Sequence, residues 1–302
     1  MKALRNFIVF LTIVYTAFNV FTRLRSDVRI KPLRPYFKHR GPYIFAHRGG
    51  AGEAPEHTMA AFNNADAAGV SGFEIDIRLT KDLEIVVMHD LYVDRTSNGS
   101  GKVSDLTLEE LRELDFGYHF KDANGNYIFR DVDTAKIVTL RELIESFPNQ
   151  LINIDIKDEP DTIAGKLVPK ILSDLIIEFD AEERILVTSF HGDQIQRFKL
   201  HARDKVATGA GVEEVRRGYF LYLFGLGHLY HPNTTTYQIP VNFGLLRLDN
   251  AHFIQYLTNL NVVVGYWTIN DLDEIERLIN NGAHTIVTDF PGLTEHVKET
   301  IN

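Results

Sequence analysis

The chain has 302 residues, 44% of them hydrophobic and 24% charged, with a mean hydropathy of -0.12. Those values describe a globular body long enough to bury a large core. A net charge of -9 argues against wholesale nucleic-acid binding, and the absence of cysteine excludes disulfides, a thiolate nucleophile and Cys-ligated zinc.

The first element in chain order is an uncharged apolar run from Phe7 to Thr22, FIVFLTIVYTAFNVFT. As a helix it spans about 24 Å, short of a hydrocarbon core of about 30 Å. Flanking Arg5, Arg23 and Arg25 can snorkel to close that gap. No small-x-small cleavage site follows and the downstream flank is basic, so residues 1–25 are expected to be an uncleaved membrane anchor rather than a signal peptide. The linker over residues 26–40 continues a basic belt: Arg23, Arg25, Arg29, Lys31, Arg34, Lys38 and Arg40 against Asp27 alone. Such a belt beside an apolar segment suits a membrane surface and predicts that the body of the chain faces the cytoplasm, although Lys2 and Arg5 oppose that orientation.

From Tyr43 onward, short β-branched runs alternate with helical stretches. The predicted strands are 43–49, 72–79, 84–89, 151–157, 184–190, 205–210, 236–241, 261–269 and 284–289. Helices are predicted over Glu56–Ala68, Asp161–Phe179 with a kink at Pro169, and Asp271–Asn280 with a capping-box-like start. This alternation predicts an α/β fold, a (β/α)8 TIM barrel over residues 41–302 behind the N-terminal anchor helix. One strand is surplus. The runs 72–79 and 84–89 are therefore expected to form a single ββ excursion turning at Thr80-Lys81-Asp82, followed by an insertion over about 91–136 near the barrel mouth.

Polar residues cluster at the predicted C-terminal strand ends, where the active sites of such barrels form. His47-Arg48-Gly49 ends the first strand, Glu74-Ile75-Asp76 lies in the second, His89 ends the third, and Asp155 and Lys157 share one face of NIDIK. Glu74, Asp76 and Asp155 suit a hard divalent cation, Mg2+ or Ca2+; the plainer alternative is salt bridging to Arg78, Lys157 or Arg48. His47 and His89 suit an acid/base pair, and Arg48 and Lys157 suit a phosphate clamp. Together they predict metal-assisted cleavage of a phosphodiester. Trp267, the only tryptophan, is a candidate substrate-facing wall or ordinary barrel packing. The other ten histidines, His57 among them, show no convergent spacing, and most are expected at the surface or as caps. The aromatic stretch Tyr219–Tyr230 follows Arg216 and Arg217 and is expected to contact membrane or an acyl chain.

The blocks AHRGGAGEAPEHTMAAF, GFEIDIRLTKDLEIVVMHD, NIDIK, VTSF, YWTIND and IVTDFPG, in that order from Tyr43 to about Pro291, resemble the glycerophosphodiester phosphodiesterases. The resemblance implies a TIM barrel with an insertion and a divalent cation that assists hydrolysis to sn-glycerol 3-phosphate and an alcohol. It also implies that His47 and His89 are the acid/base pair, that Glu74, Asp76 and Asp155 bind metal, and that Arg48 and Lys157 hold phosphate. Two positions depart from the pattern: His57 stands where the family commonly has Asn, and Asp155 where many soluble members have Glu. A membrane-anchored branch resembling lysophospholipase D enzymes shares NIDIK and an N-terminal apolar segment, implying a lysophospholipid substrate. The alternative substrates are water-soluble glycerophosphodiesters.

Overall fold

The computed structural model describes residues 1–26, 30, 32–39 and 41–301. Of the basic belt, Asp27, Arg29, Lys31 and Arg40 lie outside the described residues. Eleven strands are present among them: β1 (Tyr43–His47), β2 (Gly72–Leu79), β3 (Ile85–Val87), β4 (Leu151–Ile156), β5 (Ile185–Thr188), β6 (Ala207–Thr208), β7 (Thr236–Ile239), β8 (Asn242–Phe243), β9 (Leu246–Arg247), β10 (Val263–Tyr266) and β11 (Thr285–Thr288). The helices are α1 (Lys2–Arg25), α2 (Met59–Ala67), α3 (Leu108–Arg112), α4 (Leu140–Ser146), α5 (Ile163–Glu178), α6 (Gly192–His201), α7 (Val212–Leu223), α8 (Ala251–Thr258), α9 (Leu272–Asn280) and α10 (Leu293–Ile301).

Eight strands run parallel in the order β6-β5-β4-β2-β1-β11-β10-β7, and a Gly209–Thr236 bridge brings the two edges together. The nearly closed (β/α)8 barrel is the predicted one. The surplus strand behaves as expected: β3 pairs antiparallel with β2, Leu79 opposite Ile85 and Ile77 opposite Val87. Alternation explains the layering. Ile75, Ile77, Ile152, Ile154 and Val187 point outward into a core shared with Phe62, Leu143, Val168 and Phe198 of the surrounding helices. The opposite set of side chains faces the barrel axis. Pro169 sits inside α5, as anticipated. Asp271 caps α9 by accepting the Glu274 amide.

Several elements stop up to three residues short of their predicted ends, so that Arg48, His89 and Lys157 lie just beyond β1, β3 and β4. Two further features differ from the sequence reading. Strand β6 is two residues long rather than six, because the Thr235 hydroxyl takes the Thr208 amide that a longer ladder would have used. The β8–β9 hairpin was not expected; strands this short have no period to read.

Helix α1 has no buried residue, yet one side of it is attached. Tyr15, Asn19 and Thr22, at helical spacing, form a polar seam. Tyr15 donates to the Phe224 carbonyl, Asn19 donates to the Gly225 carbonyl at 3.1 Å, and Thr22 Oγ1 lies 2.8 Å from His228 Nε2. The apolar helix therefore docks on the segment that follows α7.

Candidate active site

The turn after β1 is built from residues with positive φ: Arg48 at 52°, Gly49 at 81° and Gly50 at 102°. A Cβ on Gly50 would sit 2.4 Å from Pro291 Cγ, so the two glycines let the chain turn against the loop after β11. The cost falls on Arg48, held in a left-handed conformation at about 1–2 kcal/mol. In exchange its guanidinium turns over the barrel mouth, with Nη1 donating to Glu56 at 3.0 Å and Nε 3.5 Å from Asp76.

Strand register sets the carboxylates side by side. Glu74 lies opposite Asn153, Asp76 opposite Asp155, and His47 opposite Glu74. Lys157 Nζ sits between the two aspartates, 2.9 Å from Asp76 Oδ1 and 2.6 Å from Asp155 Oδ2. Burial and the neighbouring Asp76 charge push Glu74 up to about 7. Burial also raises Asp155. Burial alone would raise Asp76 as well, but the Lys157 and Arg48 charges hold it below its usual range. Three acids thus crowd two cations. Asp76 Oδ2 and Asn153 Oδ1 are buried without a hydrogen-bond donor. This surplus of oxygen acceptors fits a hard divalent cation. Among the described residues, however, no three His, Asp or Glu side chains are drawn together as a ready coordination sphere, since Lys157 occupies the cationic position between Asp76 and Asp155.

Both histidines are oriented by carboxylates. His47 Nδ1 donates to Asp289 Oδ1 at 2.6 Å, and His89 Nδ1 donates to Asp90 Oδ1 at 2.6 Å. Burial lowers His47, but the Asp289 bond and the Glu74 charge outweigh it and leave the imidazole raised. His89 returns to the level of Asp76 because β3 runs antiparallel to β2, and Arg78 fixes the turn by donating Nη2 to the His89 carbonyl at 2.8 Å. Arg95, from the insertion, clamps Asp90 and Glu56 together.

Asp289 and Arg95 went unnoticed in the sequence, and His57 stood out there only as a departure from the family pattern. His57 corrects the expectation of a surface or capping histidine. It is 3% exposed and its Nε2 accepts the Asp76 amide at 3.2 Å, so burial holds it neutral, with its pKa down to about 3. Its φ of 60° supplies the missed signal: asparagine, the residue commonly found here in the resembling family, is among the few side chains that tolerate this conformation. His57→Ala strands the buried amide and should lower the unfolding free energy by about 1–3 kcal/mol. His57→Asn should lose less than half of that in urea titrations. An alanine variant as stable as the parent would refute the role.

All eight predicted site residues, His47, Arg48, Glu74, Asp76, His89, Asp155, Lys157 and Trp267, line one cavity of about 560 Å³. Trp267 meets Phe190 edge to face, with ring centroids 5.9 Å apart, and the Lys157 ammonium lies 5.1 Å from the Phe190 centroid. From this polar floor the cavity continues along an apolar arm walled by Val215, Tyr219, Phe220, Phe243, Leu246 and Leu248. The aromatic stretch is therefore not one surface. Tyr230 is fully buried against Tyr237, whereas Phe220, Leu223 and Phe224 are exposed.

Residues 47–293 match the model of the glycerophosphoryl diester phosphodiesterase family. A glycerophosphodiester phosphodiesterase of Caldanaerobacter subterraneus subsp. tengcongensis is 32% identical over 253 residues, spanning 82% of this chain and 94% of that protein. A lysophospholipase D of Rattus norvegicus is 28% identical over 283 residues, 85% of each chain. The glycerophosphoryl diester phosphodiesterase domain of a Mycobacterium tuberculosis protein superposes with a TM-score of 0.75 at 18% identity, over 85% of this chain and 99% of that one. An Oleispira antarctica phosphodiesterase, solved with its product sn-glycerol-3-phosphate, gives a TM-score of 0.64 at 22% identity, over 85% and 97%. At those identities the two structures bear on the fold alone. The family match and the Caldanaerobacter relative go further: this chain belongs to the glycerophosphoryl diester phosphodiesterase family and is a phosphodiesterase of that class.

Proposed function

We propose that the enzyme is a metal-dependent lysophospholipase D, cleaving a lysophospholipid to lysophosphatidic acid and a free head-group alcohol. The observation that carries this reading is the continuity of one cavity from charged floor to apolar arm. A deacylated glycerophosphodiester would use only the floor. An acyl chain gives Val215, Phe220 and Phe243 something to cover, and burying it is favourable at about 25 cal/mol per Å².

On this reading Glu74, Asp76 and Asp155 hold a divalent cation, Mg2+ or Ca2+, which when bound neutralises charge on the phosphate oxygens. The shorter Asp155 keeps its carboxylate near Lys157, and Lys157 with Arg48 provides fixed positive charge for the phosphate. His47 and His89 move the protons, one from the attacking hydroxyl and one to the leaving oxygen; the attacker is water, or the free glycerol 2-hydroxyl, whose cyclic phosphate water then opens to lysophosphatidic acid. Trp267 walls the substrate beside Phe190. Residues 1–25 form the single-pass anchor, 26–40 a basic linker and 41–302 the catalytic barrel with its insertion at about 91–136. The more basic C-terminal flank of the anchor supports a barrel on the cytoplasmic side, against the membrane lipid surface.

The detergent-purified protein, offered lysophosphatidylcholine and glycerophosphocholine side by side with Mg2+, Ca2+ or EDTA, tests this directly. Choline release is expected to be EDTA-sensitive and to favour the acylated substrate. Phe220→Ala should lower only the acylated activity, by about 10-fold, the upper range for lost apolar pocket contacts. Preference for glycerophosphocholine would refute the lipid reading and leave an anchored diesterase of soluble substrates.

A further inference from the structure

The β8–β9 hairpin is built against the usual rules for a water-facing turn. Its ladder pairs Asn242 with Arg247 and Phe243 with Leu246, leaving Gly244-Leu245 as the two-residue connection. Such connections favour Asn-Gly, Asp-Gly or a polar residue beside glycine. Here Gly244, at a φ of 59°, meets the turn's conformational need, and the residue beside it is leucine. Leu245 is fully exposed, at 103%, and Phe243 is 51% exposed. Leu245 thus lies wholly in solvent and about half of Phe243 does, more large apolar surface than so small a hairpin ordinarily shows to water.

Their surroundings identify the partner. The other exposed apolar groups of this face are Phe220, Leu223 and Phe224 at the end of α7. The hairpin adjoins that helix, for Tyr219 donates to the Arg247 carbonyl at 3.3 Å, and Leu223 and Arg247 line one surface depression. Immediately beyond α7, the Phe224 and Gly225 carbonyls and His228 receive the polar seam of α1. The apolar patch is thus continuous with the docking point of a 24-residue helix long and apolar enough to cross a membrane. Exposed Arg216 and Arg217 lie one turn back along α7, at a level suited to lipid phosphates.

We infer that the β8–β9 hairpin is a second lipid-contacting element, which inserts Phe243 and Leu245 into the bilayer and opens the apolar arm of the cavity onto it. Phe243 and Leu246 then serve both surfaces: they line the arm on one side and adjoin lipid on the other. An acyl chain passes between α7 and the hairpin without crossing water. The inference builds on the proposed membrane setting of the enzyme, and the experiment reads the hairpin and α1 independently.

The chain has no cysteine, so each engineered cysteine carries one label without background. Full-length Val14→Cys, Leu245→Cys and Glu183→Cys, each carrying an environment-sensitive fluorophore, are reconstituted into phosphatidylcholine–phosphatidylglycerol vesicles with or without a doxyl-quencher lipid. Val14 lies mid-α1, and Glu183 precedes β5 at the end of the barrel opposite the mouth. Quenching is expected at positions 14 and 245 and not at 183. Quenching at 14 without 245 overturns the hairpin inference and leaves the anchor standing. Quenching at 245 without 14 supports the hairpin and overturns the anchor. Quenching at neither overturns both. Leu245 does not line the cavity, so Leu245→Asp should reduce turnover of vesicle-borne lysophosphatidylcholine on the order of tenfold, leaving glycerophosphocholine turnover unchanged. Equal turnover of the vesicle substrate by parent and variant also counts against insertion. Should glycerophosphocholine prove the better substrate while position 245 is still quenched, the substrate reading falls and the hairpin's membrane contact stands.

Discussion

Asp76→Asn is expected to lower kcat/KM on every glycerophosphodiester by about 10³-fold, the equivalent of several kcal/mol of lost charge stabilisation. Asp76 is the hub of the floor: Lys157 lies 2.9 Å from it, His57 3.4 Å and Arg48 3.5 Å. Removing its charge would deprive the proposed divalent cation of the most buried of its three proposed ligands. The fold should suffer less than the ~3–5 kcal/mol usual when an isolated buried pair is broken, because Lys157 keeps Asp155 and Arg48 keeps Glu56. Relief of the repulsion that raises Glu74 offsets part of what remains.

A thermal readout separates metal binding from turnover. If the proposed site binds it, Mg2+ or Ca2+ at about 100 times its dissociation constant would stabilise the parent by about 2.7 kcal/mol, and Asp76→Asn should abolish that increment. The increment also depends on pH. Glu74, raised to about 7, holds a proton in the metal-free fold that the unfolded chain, with its ordinary carboxyl, has already released. Its contribution to metal-free stability is therefore full below pH 4.5 and is lost as pH rises to about 7. A cation must displace that proton, so metal stabilisation grows over the same window. An Asp76→Asn protein that keeps the parent's metal-induced shift would remove Asp76 from the ligand set.

The barrel could be read from the chain because parallel strands buried on both sides announce themselves as apolar runs, and charges inside such runs stand out. Glu74, Asp76, Asp155 and Lys157 were visible for this reason, and strict alternation put them on the axial face where the register confirms them. What escaped depends on closure of the sheet. Asp289 meets His47 across 242 positions only because β11 pairs with β1. Arg95 looked like any charge in a polar insertion, although it ties the Glu56 side of the mouth to the Asp90 side. His57 needed a backbone dihedral to reveal it. The hairpin that bears Leu245 is too short for periodicity, and its apolar turn reads as noise until the neighbouring surface is seen.

Asp289→Asn should lower kcat by about 10²–10⁴-fold with little change in KM, which is the range for a lost proton-transfer group. The argument is one of hydrogen-bond direction. Asn270 Oδ1 accepts from the Asp289 amide at 2.8 Å and from the Thr288 hydroxyl at 3.0 Å, so its Nδ2 must face Asp289 Oδ2, at 2.7 Å. In the variant the new side-chain oxygen has to take that bond, which turns the new amide nitrogen towards His47. A donor then confronts Nδ1, and the ring can respond only by moving its proton to Nε2. The nitrogen on the Glu74 side, 3.9 Å from that carboxylate, changes from acceptor to donor, and the protonated ring loses the carboxylate that raised its pKa. Whether His47 gives or takes the proton in the first step, it is in the wrong state. Asp90→Asn makes the comparison, since His89 is more exposed than His47, so water can replace part of what is lost. Its effect should be at least tenfold smaller, well inside the range for one proton-transfer group. Steady-state kinetics on both variants, with circular dichroism to confirm folding, decide the matter: a kcat for Asp289→Asn within threefold of the parent would show that the tautomer of His47 is not under Asp289's control.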